Sequence, residues 1–413
     1  MKAEIITIGD ELLIGQTVDT NSAFMGAELS ALGFTIVQIT SISDKKEMIL
    51  STLKEKVGKA DVVLITGGLG PTSDDITKQT LCDFFETRLI QNRDVLNDVE
   101  KMLAKRNFPL NENNRRQAEV PESCRVLSNA AGTAPGMWFE KNGTIFISMP
   151  GVPYEMKYIM TEHVIPELKI RFTSQHIIHR NIMTYGTFEA KLAETLSDFE
   201  AGLPEYIKLA YLPSAGVIKL RLTGSGNNRD DLSKAIEYQV NKLYHIIPQL
   251  IYGEDEESLE MAVGRLLLQK GQTICTAESC TGGSISHLIT SVPGSSGYFK
   301  GTVVAYANSV KINLLGVPEE VIANYGSVSK ETVERMAEGG RRLFDTDFAV
   351  ATSGIAGPDG GTPEKPVGTI WISVSSPNKN VVEKFTYGND RVINIRRFSY
   401  AALNLLRKQI IAQ

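Results

Sequence analysis

Short apolar runs and helical apolar spacings alternate along the first third of the chain. Residues 3–8 (Ala-Glu-Ile-Ile-Thr-Ile) read as a buried strand, and Asp19-Thr20-Asn21 then offers N-cap chemistry. Phe24, Met25, Leu29 and Leu32 follow at helical spacing, and Gly33 is a C-terminal stop. Residues 35–42 predict a second strand, Asp44 the cap of a helix running through Val57, and residues 61–66 a near-continuous apolar strand. Alternating strands and helices with apolar strands predict a parallel sheet covered on both faces. Ligands of such sheets sit beyond the carboxyl ends of the strands.

The pattern continues with a helix at 93–106 and a polar stretch at 111–117, whose Arg115 and Arg116 suit either a phosphate contact or a solvated helix end. A strand at 144–148 is flanked by Gly132-Thr133-Ala134-Pro135-Gly136 and by Met149-Pro150-Gly151, after which Glu155 opens a helix. The first domain therefore covers residues 1–170. Strands at 181–185 and 217–223, with helices at 188–196 and about 230–244, make a small α+β module over 171–252. An acidic joint, Glu254-Asp255-Glu256-Glu257, leads into a third domain at 253–413. There a helix at 258–269 precedes strands at 272–277, 301–306, 347–353 and 369–374, and a last helix starts near Asp390.

Composition narrows the class. At 413 residues two or three domains are expected, and 42% hydrophobic with 22% charged residues describes a soluble globular protein. A net charge of −5 argues against a dedicated nucleic-acid binder, and the 171–250 module, with nine Lys/Arg against eight Asp/Glu, has no basic face in bulk. No apolar run approaches a membrane span, and Met1-Lys2-Ala3-Glu4 leads into a strand rather than a signal peptide. Cys82, Cys124, Cys275 and Cys280 lack CxxC spacing. A reduced, cytoplasmic protein is expected.

Candidate chemistry collects in the loops after the strands. Thr276-Ala277-Glu278-Ser279-Cys280-Thr281-Gly282-Gly283 sets a carboxylate, hydroxyls and a thiol where a strand turns into a helix. It is either a nucleophile turn whose helical N–H groups cradle an anion, or a glycine-softened cap. Thr66-Gly67-Gly68-Leu69-Gly70-Pro71-Thr72-Ser73-Asp74-Asp75 offers glycine N–H groups to an anion and paired carboxylates to a divalent cation; the plain alternative is a glycine turn with an aspartate cap. No histidine falls in these loops, so a hydroxyl nucleophile needs a lysine or tyrosine as its base.

Three motif sets resemble one family. Ala277 to Gly283, Tyr306-x-Asn308-x-x-Lys311 and Gly354-Ile355-Ala356-Gly357-Pro358-x-Gly360-Gly361 are similar to the C-terminal domain of the competence/damage-inducible CinA proteins, which are nicotinamide-mononucleotide amidohydrolases. Gly9-Asp10-Glu11-Leu12-Leu13-x-Gly15, Asp19-Thr20-Asn21 and Thr66 to Thr77 resemble that family's N-terminal domain, which has the three-layer fold of molybdopterin-binding proteins. The middle module looks like the family's KH-like insert but lacks a clear GxxG loop, so RNA binding is not expected.

The resemblance implies Ser279 as nucleophile and Lys311 with Tyr306 as base. Thr281, Gly282 and Gly283 would hold the oxyanion, and Gly354, Ile355, Ala356, Gly357, Gly360 and Gly361, with Arg391 or Arg397, the ribose phosphate. For the N-terminal domain it implies ADP-ribose on Gly9, Glu11, Asn21, Thr66, Gly67, Gly68, Gly70, Pro71 and Thr72. A divalent metal there would sit at Asp74, Asp75 and Glu155. The expected role is pyridine nucleotide recycling by a homodimer with no nucleic-acid or membrane partner and no cofactor for the amidase. The alternative for the N-terminal domain is a non-catalytic nucleotide- or pterin-binding regulatory module.

Overall fold

The computed structural model describes all residues but 71, 73, 74, 106, 173–175, 215 and 413. Two compact units are present, Met1–Ile178 with Gly224–Ser233, and His179–Thr223 with Lys234–Gln413. Among the described residues no helix is long and apolar enough to cross a membrane.

The first unit is built on β1 (Lys2–Ile8), β2 (Thr35–Ile42) and β3 (Val62–Thr66). A small antiparallel pair, β4 (Leu89–Gln91) and β5 (Glu119–Pro121), stands apart. β6 (Arg125–Leu127), β7 (Gly136–Lys141) and β8 (Thr144–Met149) complete the main sheet in the order β2-β1-β3-β8-β7-β6. Four adjacent strands are parallel as expected, but β7 runs antiparallel to both its neighbours, β8 and β6. The cause is local: Asn142-Gly143 joins β7 to β8 with φ of 50° and 80°, and two left-handed residues close a tight hairpin.

Side chains alternate across this sheet. Ile5, Leu64 and Ile147 pack with Met25 and Leu29 of the helix Thr20–Ala31 and with Met156 and Met160. Ile6, Val63 and Phe146 face the other way, onto Ile49, Leu53 and Leu81. That period of two gives three layers, with helices on both faces.

The KH-like module is a four-stranded sheet, β9 (His176–Tyr185), β10 (Ile207–Ser214), β11 (Val217–Gly226) and β12 (Ile251–Glu254), in the order β10-β11-β9-β12. β10 and β12 have no counterpart among the expected strands. β10 is an edge strand, mostly half-buried with Pro213 near its end, and shows little alternation to read.

In the C-terminal domain, β13 (Ile274–Glu278), β14 (Phe299–Val304), β15 (Phe348–Gly354), β16 (Thr369–Ser375) and β17 (Asn380–Thr386) run in the order β14-β13-β15-β16-β17. β14 and β15 flank β13 in parallel, while β16 runs antiparallel to both its neighbours, β15 and β17. Val350, Ile372 and Val374 pack on Phe398, Ala402 and Leu406 of the last helix, Arg391–Ile411. Ala277, Val303 and Ala351 pack on Val333, Met336 and Ala337 of the helix Lys330–Phe344. The chain leaves β13 to one side for β14 and returns on the other for β15, so the end of β13 is a switch point where a crevice opens.

Candidate active site

Ser279 is the first residue past β13, and its N–H donates to the carbonyl of Thr352 on β15 at 3.0 Å. The turn continues through Gly282 and Gly283, at φ 59° and 99°, into the helix Ser284–Thr290. Glu278, fully buried, turns its carboxylate onto that helix and accepts the N–H groups of Gly283 (3.0 Å), Ile285 (3.0 Å) and Ser286 (2.8 Å). Thr276 adds its hydroxyl at 3.2 Å. This corrects the expected oxyanion cradle. The Gly283 N–H is taken by Glu278, and the Gly282 N–H donates to the Ser279 carbonyl at 3.1 Å. Thr281 keeps its N–H unpaired among the described residues, while its hydroxyl meets that of Thr352 at 2.9 Å. A glutamate before the nucleophile turn was the available signal for this anchor.

Lys311 lies on the short helix Asn308–Asn313, 1% exposed. Its amine donates to the carbonyls of Ala305 at 2.8 Å and Tyr306 at 3.2 Å. Burial lowers its pKa, against an opposing pull from the Cys280 thiol beside it. The Cys280 thiol is itself buried and pushed up to about 12, first by desolvation. Tyr306 offers Lys311 its carbonyl, whereas its ring is 63% exposed and its hydroxyl accepts from Arg391 at 3.2 Å. Arg391 also donates to the Gly357 carbonyl at 2.7 Å, and so ties the Tyr306 segment to the Gly354–Gly361 loop.

That loop needs its glycines for packing. A Cβ on Gly354 would stand 2.6 Å from the Thr369 carbonyl oxygen, and one on Gly361 would stand 2.7 Å from the Val367 nitrogen. Gly357 and Gly360 have φ of 95° and 90°. Ile355 donates to Thr369, and Ala356 accepts from Asn394 at 2.9 Å. Asn394, which also holds the Gly388 carbonyl at 2.7 Å, went unnoticed in the sequence. Arg397 does not join this group. Six residues carry it about 240° around the helix from Arg391, and its guanidinium lies over the Tyr387 ring, in a different cavity.

In the first unit a cleft of about 480 Å³ opens beyond β1 and β3. Gly9, Glu11, Gly67, Gly68, Gly70, Asp75 and Glu155 line it as expected, and Asp44 and Gln117 line it as well. A Cβ on Gly67 would meet the Ile8 oxygen at 2.1 Å and one on Gly68 the Thr77 hydroxyl at 2.2 Å, so both must be glycine. The Gly67 N–H already donates to Met149 at 3.1 Å, which leaves Gly68 and Gly70 as the glycine donors. Asn21 and Thr66 stand behind the cleft: Asn21 donates to Thr66 (3.2 Å) and to Gly151 (2.7 Å), and Thr66 donates to Pro150 (2.8 Å). Asp44 is not the expected helix cap; Lys45 holds that place, and Asp44 accepts the Asp10 N–H at 3.0 Å. Its pKa is raised, chiefly by burial, with Asp10, Glu11 and Asp75 adding repulsion.

Of the expected metal set, Asp75 and Glu155 both line this cleft. Pro71 and Asp74 lie outside the described residues. Asp75 accepts the N–H and hydroxyl of Thr72 at 3.0 and 2.5 Å, and Glu155 accepts Asn129 at 2.7 Å. Among the described residues no three His, Cys, Asp or Glu side chains come together to hold an ion.

Comparison with known proteins places each segment. Residues 256–410 match the family model of the CinA C-terminal domain, residues 4–170 that of the probable molybdopterin binding domain, and residues 179–253 that of the damage-inducible protein CinA KH domain. A CinA-like protein of Cytophaga hutchinsonii is 51% identical over 408 residues, 99% of this chain and 98% of that one. Another, of Flavobacterium psychrophilum, is 48% identical over 415 residues, 100% of this chain and 99% of its own. The crystal structure of a CinA protein with unknown function from Thermoplasma acidophilum is 34% identical and covers 40% of this chain and 97% of its own, with a TM-score of 0.37.

Proposed function

The chain belongs to the CinA family, and from that premise we propose that its C-terminal domain is an amidohydrolase acting on nicotinamide mononucleotide. The observation that carries this is Lys311, an almost fully buried amine of lowered pKa beside the Ser279-Cys280 turn. Ser279 attacks the carboxamide carbon and its proton passes to Lys311. The developing oxyanion is met by the Thr281 N–H, which has no partner among the described residues. Lys311 returns the proton to the leaving ammonia, then takes one from the water that attacks the acyl-serine and passes it to the Ser279 oxygen as nicotinic acid mononucleotide leaves. Arg391, at the junction of the Tyr306 and Gly357 segments, is the cation for the ribose phosphate. Cys280 makes the poorer nucleophile, since its buried thiol resists ionisation. Ammonia release from nicotinamide mononucleotide by the purified protein tests the reading, and no release at any pH overturns it.

For the N-terminal cleft we propose ADP-ribose as the ligand, its pyrophosphate on the Gly68 and Gly70 N–H groups and its hydrolysis dependent on Asp75. Incubation with ADP-ribose across a series of divalent metals separates hydrolysis from binding alone, the reading in which this domain is regulatory.

A further inference from the structure

A second cavity in the larger unit, of about 710 Å³, opens between the KH-like sheet and the β17 side of the C-terminal domain. Neither Ser279, Lys311, Tyr306, Arg391 nor the Gly354–Gly361 loop lines it, so it is separate from the amidase site. Its volume lies in the range of small-molecule sites, which are mostly apolar with a few placed polar groups.

One wall is aromatic. Tyr185, at the end of β9, and Tyr387, just past β17, both line the cavity. At the mouth stands Phe188, 83% exposed and free to cover a flat ring. The facing wall is one stripe of the last helix, where Arg397, Ala401, Asn404 and Lys408 recur at helical spacing. The small Ala401 leaves the floor open between two cations.

Neither cation on that stripe, Arg397 or Lys408, has an ion-pair partner among the described residues. Arg397 lies 5.9 Å from the Tyr387 ring centroid and has no carboxylate partner among the described residues. Glu189 and Glu383 also line the cavity, yet neither pairs with Arg397 or Lys408. Asn404 is 5% exposed; its oxygen accepts Arg407 at 3.2 Å, while its amide nitrogen donates to nothing among the described residues. A nearly buried amide donor and an unpaired guanidinium over a tyrosine ring are set for an anion on an aromatic ring.

We propose that this cavity binds a small planar aromatic anion, with its ring between Tyr185, Tyr387 and Phe188 and its charge on Arg397 and the Asn404 amide.

The test uses the full chain and two fluorescent probes of similar shape: 8-anilinonaphthalene-1-sulfonate, which is anionic, and N-phenyl-1-naphthylamine, which is neutral. Saturable binding of the sulfonate is expected. Arg397→Ala should weaken it roughly tenfold or more, since a charge-assisted contact is lost, and leave the neutral probe within about twofold. Ala401→Trp, which fills the floor, should displace both. Asn404→Ala, which leaves the cavity open if the tryptophan variant misfolds, should weaken the sulfonate alone. Unsaturable binding, or sulfonate binding unchanged in Arg397→Ala and Asn404→Ala, overturns the site. Equal loss of both probes in Arg397→Ala overturns its preference for an anion.

Discussion

Lys311 holds its amine nitrogen 2.8 Å from the carbonyl oxygen of Ala305, six residues earlier in the chain. With the Tyr306 carbonyl at 3.2 Å, this accounts for two donors. A neutral amine has two N–H bonds, so both are engaged and the lone pair is left to accept a proton. The two carbonyls thus orient a base as well as binding a cation.

The pH dependence follows. In the proposed mechanism Lys311 acts unprotonated, and burial lowers its pKa below 10.5, so the deamidation rate should climb as pH rises through that lowered value and level off above it. Lys311→Ala should slow turnover by about a hundredfold to ten-thousandfold. Lys311→Arg should be as slow, because a guanidinium keeps its proton. A Lys311→Arg enzyme near the wild-type rate of ammonia release would remove the lysine from the mechanism.

Ser279→Ala should abolish ammonia release, and Cys280→Ala should retain most of it. The thiol is 6% exposed and pushed up to about 12, so little of it is nucleophilic near neutral pH. The opposite pattern would assign the reaction to the cysteine.

Glu278→Ala leaves three buried N–H groups of the turn and helix without an acceptor. Unpaired buried donors cost about 1–3 kcal/mol each, partly relieved by water, so a loss near 3 kcal/mol is expected in chemical denaturation followed in the C-terminal domain. Glu278→Gln keeps one acceptor oxygen and should lose less. Equal stability of both variants and wild type would contradict the anchoring role.

How far these features can be read from the sequence depends on the range of the interactions behind them. The helix from Thr20 was legible because Asp19 caps it by accepting Ser22, three residues on. The C-terminal strands at 348–354 and 369–375 were legible from apolar runs such as Val350 and Ala351, whereas the mostly half-buried β17 was not. Asp44 misled because its carboxylate is used 34 residues away, on the Asp10 N–H, rather than on the helix it precedes. Arg397 misled because sequence closeness to Arg391 hides their angular separation on one helix. Glu278 was visible as a residue but not as a cap, since an acceptor for several N–H groups appears only once the turn closes. The Asn142-Gly143 hairpin was a local signal and was simply passed over.

In the N-terminal cleft, Asp75→Ala frees the Thr72 hydroxyl and removes one lining carboxylate. ADP-ribose hydrolysis should fall below detection while ammonia release from nicotinamide mononucleotide stays at the wild-type rate. Parallel loss of both activities would point to unfolding rather than chemistry.

Arg407 reaches out of the C-terminal domain's own sequence: it is 3% exposed and donates to the carbonyls of Ile251 and Gln249 at 2.8 Å each. A fragment of residues 256–413 lacks both acceptors. Its melting temperature should lie about 5–10 °C below that of the same domain in the full chain, as expected when buried donors lose their partners. Arg407→Leu should recover part of the loss in the fragment and none in the full chain. A fragment as stable as the full chain would show that the arginine finds other partners.

Glu278 has a further effect on electrostatics. A short helix pointing its first turn at a reacting centre is commonly credited with a favourable field for negative charge. Here a formal negative charge already sits on that end, bound to Gly283, Ile285 and Ser286, and it neutralises the helix macrodipole before any substrate arrives. On the proposed mechanism, anionic intermediates beside Ser279 would then be stabilised by hydrogen bonds from the turn at close range. Because a hydrogen bond of that kind is far less screened by salt than a field, deamidation should keep its kcat as ionic strength rises, and any salt effect should fall on KM through the phosphate-binding cation.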